Sequence, residues 1–247
     1  MNAFDFLNKT WATIRALLTT YEEVVDEFKR FFGIEDNPFL PLAPMFRLER
    51  FVEECREDLT RWAVHLACEE AGVNINNLPI GVEDMKRLLI EMDGFDAHKI
   101  KAWVEERFLR NADEMAMEEI LKGARRALPW PRPEEPEELV QGARLRLRIP
   151  VWDSDLDMVD GRFVGDVLAL EKLVQVVLMG KRPSRAGEGP ISRMLFENGH
   201  LFEPGRRYEV KWGPVRGFRF HKNGTFYLYF ERGEQALKVA EALINAP

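Results

Sequence analysis

The chain has 247 residues, 46% apolar and 31% charged, which suits a folded protein with a real core and excludes an intrinsically disordered chain. Its formal net charge of -7 argues against a general nucleic-acid coat, although it leaves room for one basic face. No run reaches the roughly 18 to 20 uncharged apolar residues that span a bilayer, so no membrane partner is expected.

The start, Met1-Asn2-Ala3-Phe4-Asp5, lacks the basic-then-apolar layout of a secretory leader, so a cytoplasmic location is expected. Charge is unevenly distributed: residues 1–140 hold 18 Lys+Arg against 29 Asp+Glu, whereas residues 141–247 hold 17 against 13. Such a split implies different partners for the two halves. Arginine outnumbers lysine 24 to 11 and proline gathers in connections, a composition that suits a thermophile host.

Phe4, Leu7, Trp11, Ile14, Leu18, Tyr21, Val25, Phe28 and Phe32 recur in steps of three and four, with Leu17, Val24 and Phe31 widening the seam. This predicts a long amphipathic helix packed in a bundle or, alternatively, at the seam of a homo-oligomer. Gly33 ends it, and Pro38, Pro41 and Pro44 punctuate the connection that follows. A second helix is expected from near Phe46 to Gly72, presenting Leu48, Phe51, Cys55, Leu59, Trp62 and Leu66 on one side. Its two cysteines lie roughly 20 Å apart along the axis, too far for a disulfide, and read as buried free thiols. After a loop from Val73 to Gly81, helices are predicted over Val82–Met92, Ala97 to about Asn111 behind the cap Asp96, and Asp113–Leu128.

Pro129-Trp130-Pro131-Arg132-Pro133-Glu134-Glu135-Pro136 can be neither helix interior nor central strand. It is read as the domain boundary, separating an acidic helical domain (1–128) from a basic α+β domain (137–247) by a connector (129–136). Beyond it the period changes to two. Arg144 to Ile149 alternates as a strand with one apolar and one basic face. A helix follows from Val167 to Met179, stopped by Gly180, then an open loop over 181–190 and a short helix over Ile191–Glu197.

Tyr208–Trp212 reads as a strand leading into a Gly213-Pro214 turn. Phe218–Lys222 and Thr225–Phe230 flank Asn223-Gly224, which predicts a two-residue hairpin turn with both residues at positive φ. Alternation sets Phe226, Leu228 and Phe230 opposite Tyr227 and Tyr229, and the more apolar set should face the core. A final helix is expected over Glu234–Asn245. The fold class is therefore α+β: a bundle-like helical half, then a small antiparallel sheet of three to four strands with a terminal helix.

The basic residues of the second half are the nucleic-acid-binding candidates: Lys181, Arg182, Arg206, Arg207, Arg216, Arg219 and Lys222, with Tyr227 and Tyr229 among them. Arginine beside exposed aromatics on a sheet is the chemistry used by single-stranded nucleic acid binders; the competing reading is an aromatic core with a solvated basic face. Asp153, Asp155, Asp157 and Asp160 form an acidic cluster that could hold a divalent cation, but it lacks the calcium-loop pattern and reads first as a solvated acidic turn. Glu209-Val210-Lys211, with these acids upstream, matches the Glu-x-Lys element of metal-dependent nucleases, a motif also common by chance. Four scattered histidines give no zinc spacing, and phosphate-loop, nucleophile-elbow and dinucleotide fingerprints are missing, so no cofactor and no catalytic residue is assigned.

Leu170-Glu171-Lys172-Leu173-Val174 through Met179-Gly180, and Phe218 through Phe230, resemble the domain of unknown function 4942 family over about the last 80 residues. That resemblance implies phage, plasmid or mobile-element biology in bacteria, with DNA methyltransferase modules as neighbours. This chain departs from the family hairpin at Thr225, where the family has a second Asn, and at Tyr227, where it has His. The expectation is a non-enzymatic accessory protein whose helical half binds a protein partner and whose second half contacts nucleic acid or a nucleic-acid-processing complex, with an anti-defence role as one version. The alternative is a metal-dependent nuclease or DNA-modification component using Asp153, Asp155, Asp157, Glu209 and Lys211.

Overall fold

The computed structural model describes residues 2–32, 48–91 and 94–245. The chain is α+β and divides into two compact units: residues 1–75 with 80–110, and residues 76–79 with 111–247. Among the described residues, no helix is long and apolar enough to cross a membrane.

The first unit is helical, comprising α1 (Ala3–Phe32), α2 (Leu48–Glu70), α3 (Val82–Glu91) and α4 (Ala97–Val104), the last continued by a π-helical turn over Glu105–Leu109. Asp96 caps α4 as expected, its Oδ1 accepting from His98 N at 3.0 Å and Lys99 N at 3.3 Å. The seam on α1 is only partly covered: Phe4, Leu7 and Val25 are buried, whereas Leu17, Tyr21 and Val24 are exposed. The side chains of Phe28, Phe31 and Phe32, and residues 33–47, lie outside the described residues.

Helix α2 corrects the expected face by about one residue. Val52, Thr60, Ala63, Val64, Ala67 and Cys68 are buried, while Phe51 and Trp62 are exposed. Small side chains let the helices approach closely, and Thr60 can be buried because its hydroxyl donates to Arg56 O at 2.8 Å. Both cysteines are free thiols; Cys68 is buried and Cys55 half-buried.

The second unit opens with α5 (Ala112–Ala124) and holds a five-stranded antiparallel sheet in the order β1-β2-β7-β6-β5. Its strands are β1 (Val140–Gln141), β2 (Arg144–Arg148), β5 (Arg207–Trp212), β6 (Val215–Phe220) and β7 (Thr225–Phe230). A two-stranded ribbon, β3 (Trp152–Asp153) with β4 (Met158–Val159), stands apart from it. Helices α6 (Val164–Met179), α7 (Pro190–Asn198) and α8 (Gly233–Asn245) complete the unit. One core joins the inner sheet face (Leu145, Leu147, Val210, Phe218, Phe220, Phe226, Leu228 and Phe230) to Leu170 and Leu173 of α6 and Ala236 and Leu243 of α8. The sheet exceeds the expected three to four strands because short β1 extends the β2 edge.

Two further expectations are corrected. The break between units falls at Arg110/Asn111, because Ile120, Leu121 and Ala124 of α5 belong to the same core as the sheet. The proline-rich connector is thus a stiff segment inside the second unit. With α5 reassigned, that unit holds 21 Lys+Arg and 21 Asp+Glu, so its basic character is local to one face. The hairpin loop is also longer than two residues: His221 N donates to Thr225 O at 2.9 Å, and Gly224 N to His221 O at 3.0 Å. Only Gly224 of the Asn-Gly pair has positive φ, at 81°. Asn223 instead uses its side-chain oxygen to accept from Thr225 N at 3.0 Å, and the glycine closes the loop.

Candidate nucleic-acid interface

Strand alternation places the apolar residues of β2, β6 and β7 in the core and leaves the opposite face open. Register then assembles that face from distant parts of the chain. One row across the sheet reads Arg146, Tyr227, Arg219, Arg207, and the next runs Arg144, Tyr229, Gly217, Glu209. Arg148 stands opposite Thr225 at the end of β2. Five arginines therefore surround two tyrosines on one uncovered surface.

The aromatic rings are engaged by guanidinium groups along the diagonals. Arg144 lies 4.9 Å from the Tyr227 centroid and Arg207 4.3 Å from that of Tyr229, and the two tyrosine rings are 6.4 Å apart. His221 sets its ring edge-on to Tyr227 at 5.8 Å. Burial, and then the neighbouring Arg219 charge, push the His221 imidazole below its ordinary value, so no further positive charge arises there at neutral pH.

These arginines are gathered on one face without a counter-charge, although Arg132, Arg206 and Arg232 of the same unit also lack a carboxylate partner among the described residues. Elsewhere in the unit Arg126 pairs with Asp166 at 2.8 Å, Arg162 with Asp160 at 2.6 Å and Arg216 with Glu231 at 2.5 Å. Arg146, Arg148, Arg207 and Arg219 pair with no carboxylate among the described residues. Arg207 and Arg219 are direct cross-strand partners, an arrangement of like charges that weakens a sheet. The Arg219 Nε is buried and without a hydrogen-bond acceptor. Repulsion and an unmet donor on one surface are the kind of local conflict that an anionic ligand relieves.

The sequence candidates divide accordingly. Arg207, Arg219, Tyr227 and Tyr229 come together on the open face. Arg216 sits at a bulge in β6, held by Glu231 and by the carbonyls of Gly213 and Val215. Lys222 lies past the strand end, 3.7 Å from Asp157 and 5.9 Å from the Trp152 ring centroid. Arg206 covers Tyr208, whose ring stacks on core Phe218. Lys181 and Arg182 follow the end of α6, where Lys181 donates to Gln175 Oε1 at 2.7 Å. Their loop is pinned rather than open: Ser184 donates to Asp113 Oδ1 through N and Oγ, and Asn77 Nδ2 donates to the carbonyls of Pro183 and Ala186. Arg144, Arg146 and Arg148 were not among the candidates. Their basic face was readable from alternation, but the pairing of β2 with β7 was not.

The acidic candidates serve local turns. Asp153 Oδ1 accepts from Asp155 N at 2.9 Å and Leu156 N at 3.1 Å, and Asp160 is occupied by Arg162. Among the described residues no three His, Cys, Asp or Glu side chains converge as metal ligands would, and Glu209 lies on β5, separate in the fold from the ribbon turn. No protein-family model, curated protein or solved structure matches the chain.

Proposed function

We propose that the open face of the five-stranded sheet binds single-stranded nucleic acid, without catalysing its cleavage, in an accessory protein of phage or mobile-element type. One observation carries this reading: five arginines surround two tyrosines on an uncovered sheet face, and none of the five has a carboxylate partner among the described residues. A sheet face presents side chains broadly enough for splayed bases, whereas duplex DNA is read by elements that enter a groove. Phosphates would take the unpaired guanidiniums, and bases would stack on tyrosine rings or on the guanidinium planes already lying over them. The likeness of the hairpin to the domain of unknown function 4942 family supports the mobile-element setting. The substitutions at Thr225 and Tyr227 leave this binding mode intact, because Tyr227 is itself a stacking residue.

The acidic helical unit is assigned a protein partner. Trp62 is 60% exposed beside an apolar cavity of about 500 Å³ lined by Val64, Ile75, Ile80 and Met85. Fluorescence anisotropy tests the nucleic-acid reading directly. The full chain should bind a labelled single strand at least about tenfold more tightly than the corresponding duplex at low salt. Equal affinity for duplex, or no binding near 20 mM salt, would sink it.

A further inference from the structure

Helix α6 is buried around most of its circumference and carries three polar side chains, Glu171, Lys172 and Gln175, into that interior. Two of them are fully used. Glu171 accepts from Ile191 N at 2.7 Å, Ser192 N at 3.1 Å and Ser192 Oγ at 2.5 Å, closing the start of α7. Gln175 donates to Gly187 O at 2.7 Å and accepts from Lys181 Nζ at 2.7 Å and Gly187 N at 3.2 Å.

Lys172 is the exception. It is 6% exposed, and its amine makes one long approach, 3.5 Å, to Asn76 O. That distance is beyond a normal N–H···O bond, and no described carboxylate pairs with the charge. An ammonium buried this way is strongly disfavoured unless something else completes its hydrogen bonds.

The residue lines a cavity of about 480 Å³ that also exposes Asn77, Lys122 and Arg126. Its floor is the crossing of α5 and α6, so tight that a Cβ at Gly123 would meet Ala169 Cβ at 2.7 Å. Asn77 is 1% exposed; its Nδ2 is used by two carbonyls, while its Oδ1 has no partner. The nearby carboxylates are engaged at the rim, Glu119 with Lys122 at 3.2 Å and Asp166 with Arg126 at 2.8 Å. The cavity therefore holds an unanswered cationic donor, Lys172, while the unanswered Asn77 Oδ1 lies sealed beneath its surface.

We infer that this cavity is a binding site for inorganic phosphate or a phosphate monoester, a small oxyanion. Its oxygens accept from Lys172 Nζ, and Lys122 and Arg126 stand at the rim as members of ion pairs with Glu119 and Asp166. Burial holds the Lys172 amine below its ordinary value, and an anion beside it restores the charged form. The site is separate from the sheet face and stands or falls independently of it.

Thermal unfolding of the full chain in about 20 mM inorganic phosphate, against chloride at matched ionic strength, tests the site through ligand linkage. Phosphate should raise the wild-type Tm by several degrees beyond chloride. Lys172→Met, which keeps the side-chain bulk, should melt no lower than wild type and lose that phosphate-specific rise. No rise in wild type, or the same rise in Lys172→Met, would overturn the site, since phosphate also stabilises proteins generally by exclusion from their surfaces. Should Lys172→Met fail to fold, the exposed rim variant Lys122→Gln decides. It should weaken the phosphate midpoint at least about threefold, as loss of one rim cation requires, and an unchanged midpoint counts against the site.

Discussion

On the helical unit the arginines of α2 answer to carboxylates of their own helix: Arg50 with Glu54 at 2.9 Å, Arg56 with Glu53 at 2.7 Å, Arg61 with Asp58 at 3.3 Å. That unit also leaves large apolar side chains in water, namely Phe51, Trp62 and Ile90. On the sheet of the second unit the order is reversed, with the apolar residues inside and five arginines outside without carboxylate partners among the described residues. The cause is the period of each element. A helix brings residues three and four apart together, so interspersed Glu and Arg neutralise one another. A strand aligns residues two apart, so Arg144-Leu145-Arg146-Leu147-Arg148 yields a row of one sign that only a cross-strand acid could neutralise. Register supplies tyrosine, threonine and more arginine instead. The proposed division of partners, a protein for one unit and a polyanion for the other, rests on this contrast.

The largest effect that could break this division is a truncation. Fragment 111–247 should be folded, whereas fragment 137–247, cut at the proline-rich connector, should not. The second cut removes α5 and uncovers the core around buried Ile120 and Leu121, two side chains each worth about 1.5–3 kcal/mol of a total near 5–15. Circular dichroism with cooperative thermal unfolding distinguishes the outcomes, and two equally stable fragments would show that the connector separates the cores after all.

Next in size is Glu171. Its replacement by Ala leaves two N–H groups and the Ser192 hydroxyl without their acceptor, a loss of about 1–3 kcal/mol measurable by denaturant unfolding. Burial raises the Glu171 carboxyl above its ordinary value, against the opposing pull of its hydrogen bonds. The folded state thus holds this proton more tightly than the unfolded state. Stability from this group is complete below the ordinary carboxylate value and is lost as pH rises through the raised one. Glu171→Gln should flatten that part of the pH–stability curve, and an unchanged slope would assign it to other groups.

Smaller still is the stability effect expected at the open face. Arg146→Ala should change unfolding free energy by no more than about 0.5 kcal/mol, because the side chain is exposed and unpaired. A large loss would mean that these arginines hold the sheet together. Thiol chemistry gives the least perturbing check of α2. Burial pushes Cys68 up to about 11, while Cys55 is half-buried. Alkylation near pH 8 should therefore label Cys55 well before Cys68; equal rates would contradict the observed helix face.

Elements with a strong period were legible in the sequence. The α1 helix, though not the full width of its seam, the Asp96 cap, the Gly180 stop, the alternation in β2 and the split between Phe226/Leu228/Phe230 and Tyr227/Tyr229 all follow from local spacing. What depended on distant contacts was not. The α2 face turned because small residues, not large ones, fill a close helix crossing. The place of α5 was hidden because a proline run signals stiff chain rather than the edge of a core. Of the open face, Tyr227, Tyr229 and Arg219 were visible in the hairpin, but Arg144, Arg146 and Arg148 joined them only through the β2–β7 register. Lys172 was invisible for the same reason, since a lysine in an apolar helix reveals nothing of its partners until the packing is known.

Whether the unpaired arginines meet phosphates is measured most directly by the salt dependence of single-strand binding by the full chain. Log affinity against log salt should be linear, with a slope of about -0.7 for each phosphate neutralised. Arg146→Ala and Arg219→Ala should each make the slope shallower by about that amount, and the double variant by about twice it. Variants that bind with the wild-type slope, or a wild type that fails to bind near 20 mM salt, would show that this face meets solvent rather than nucleic acid.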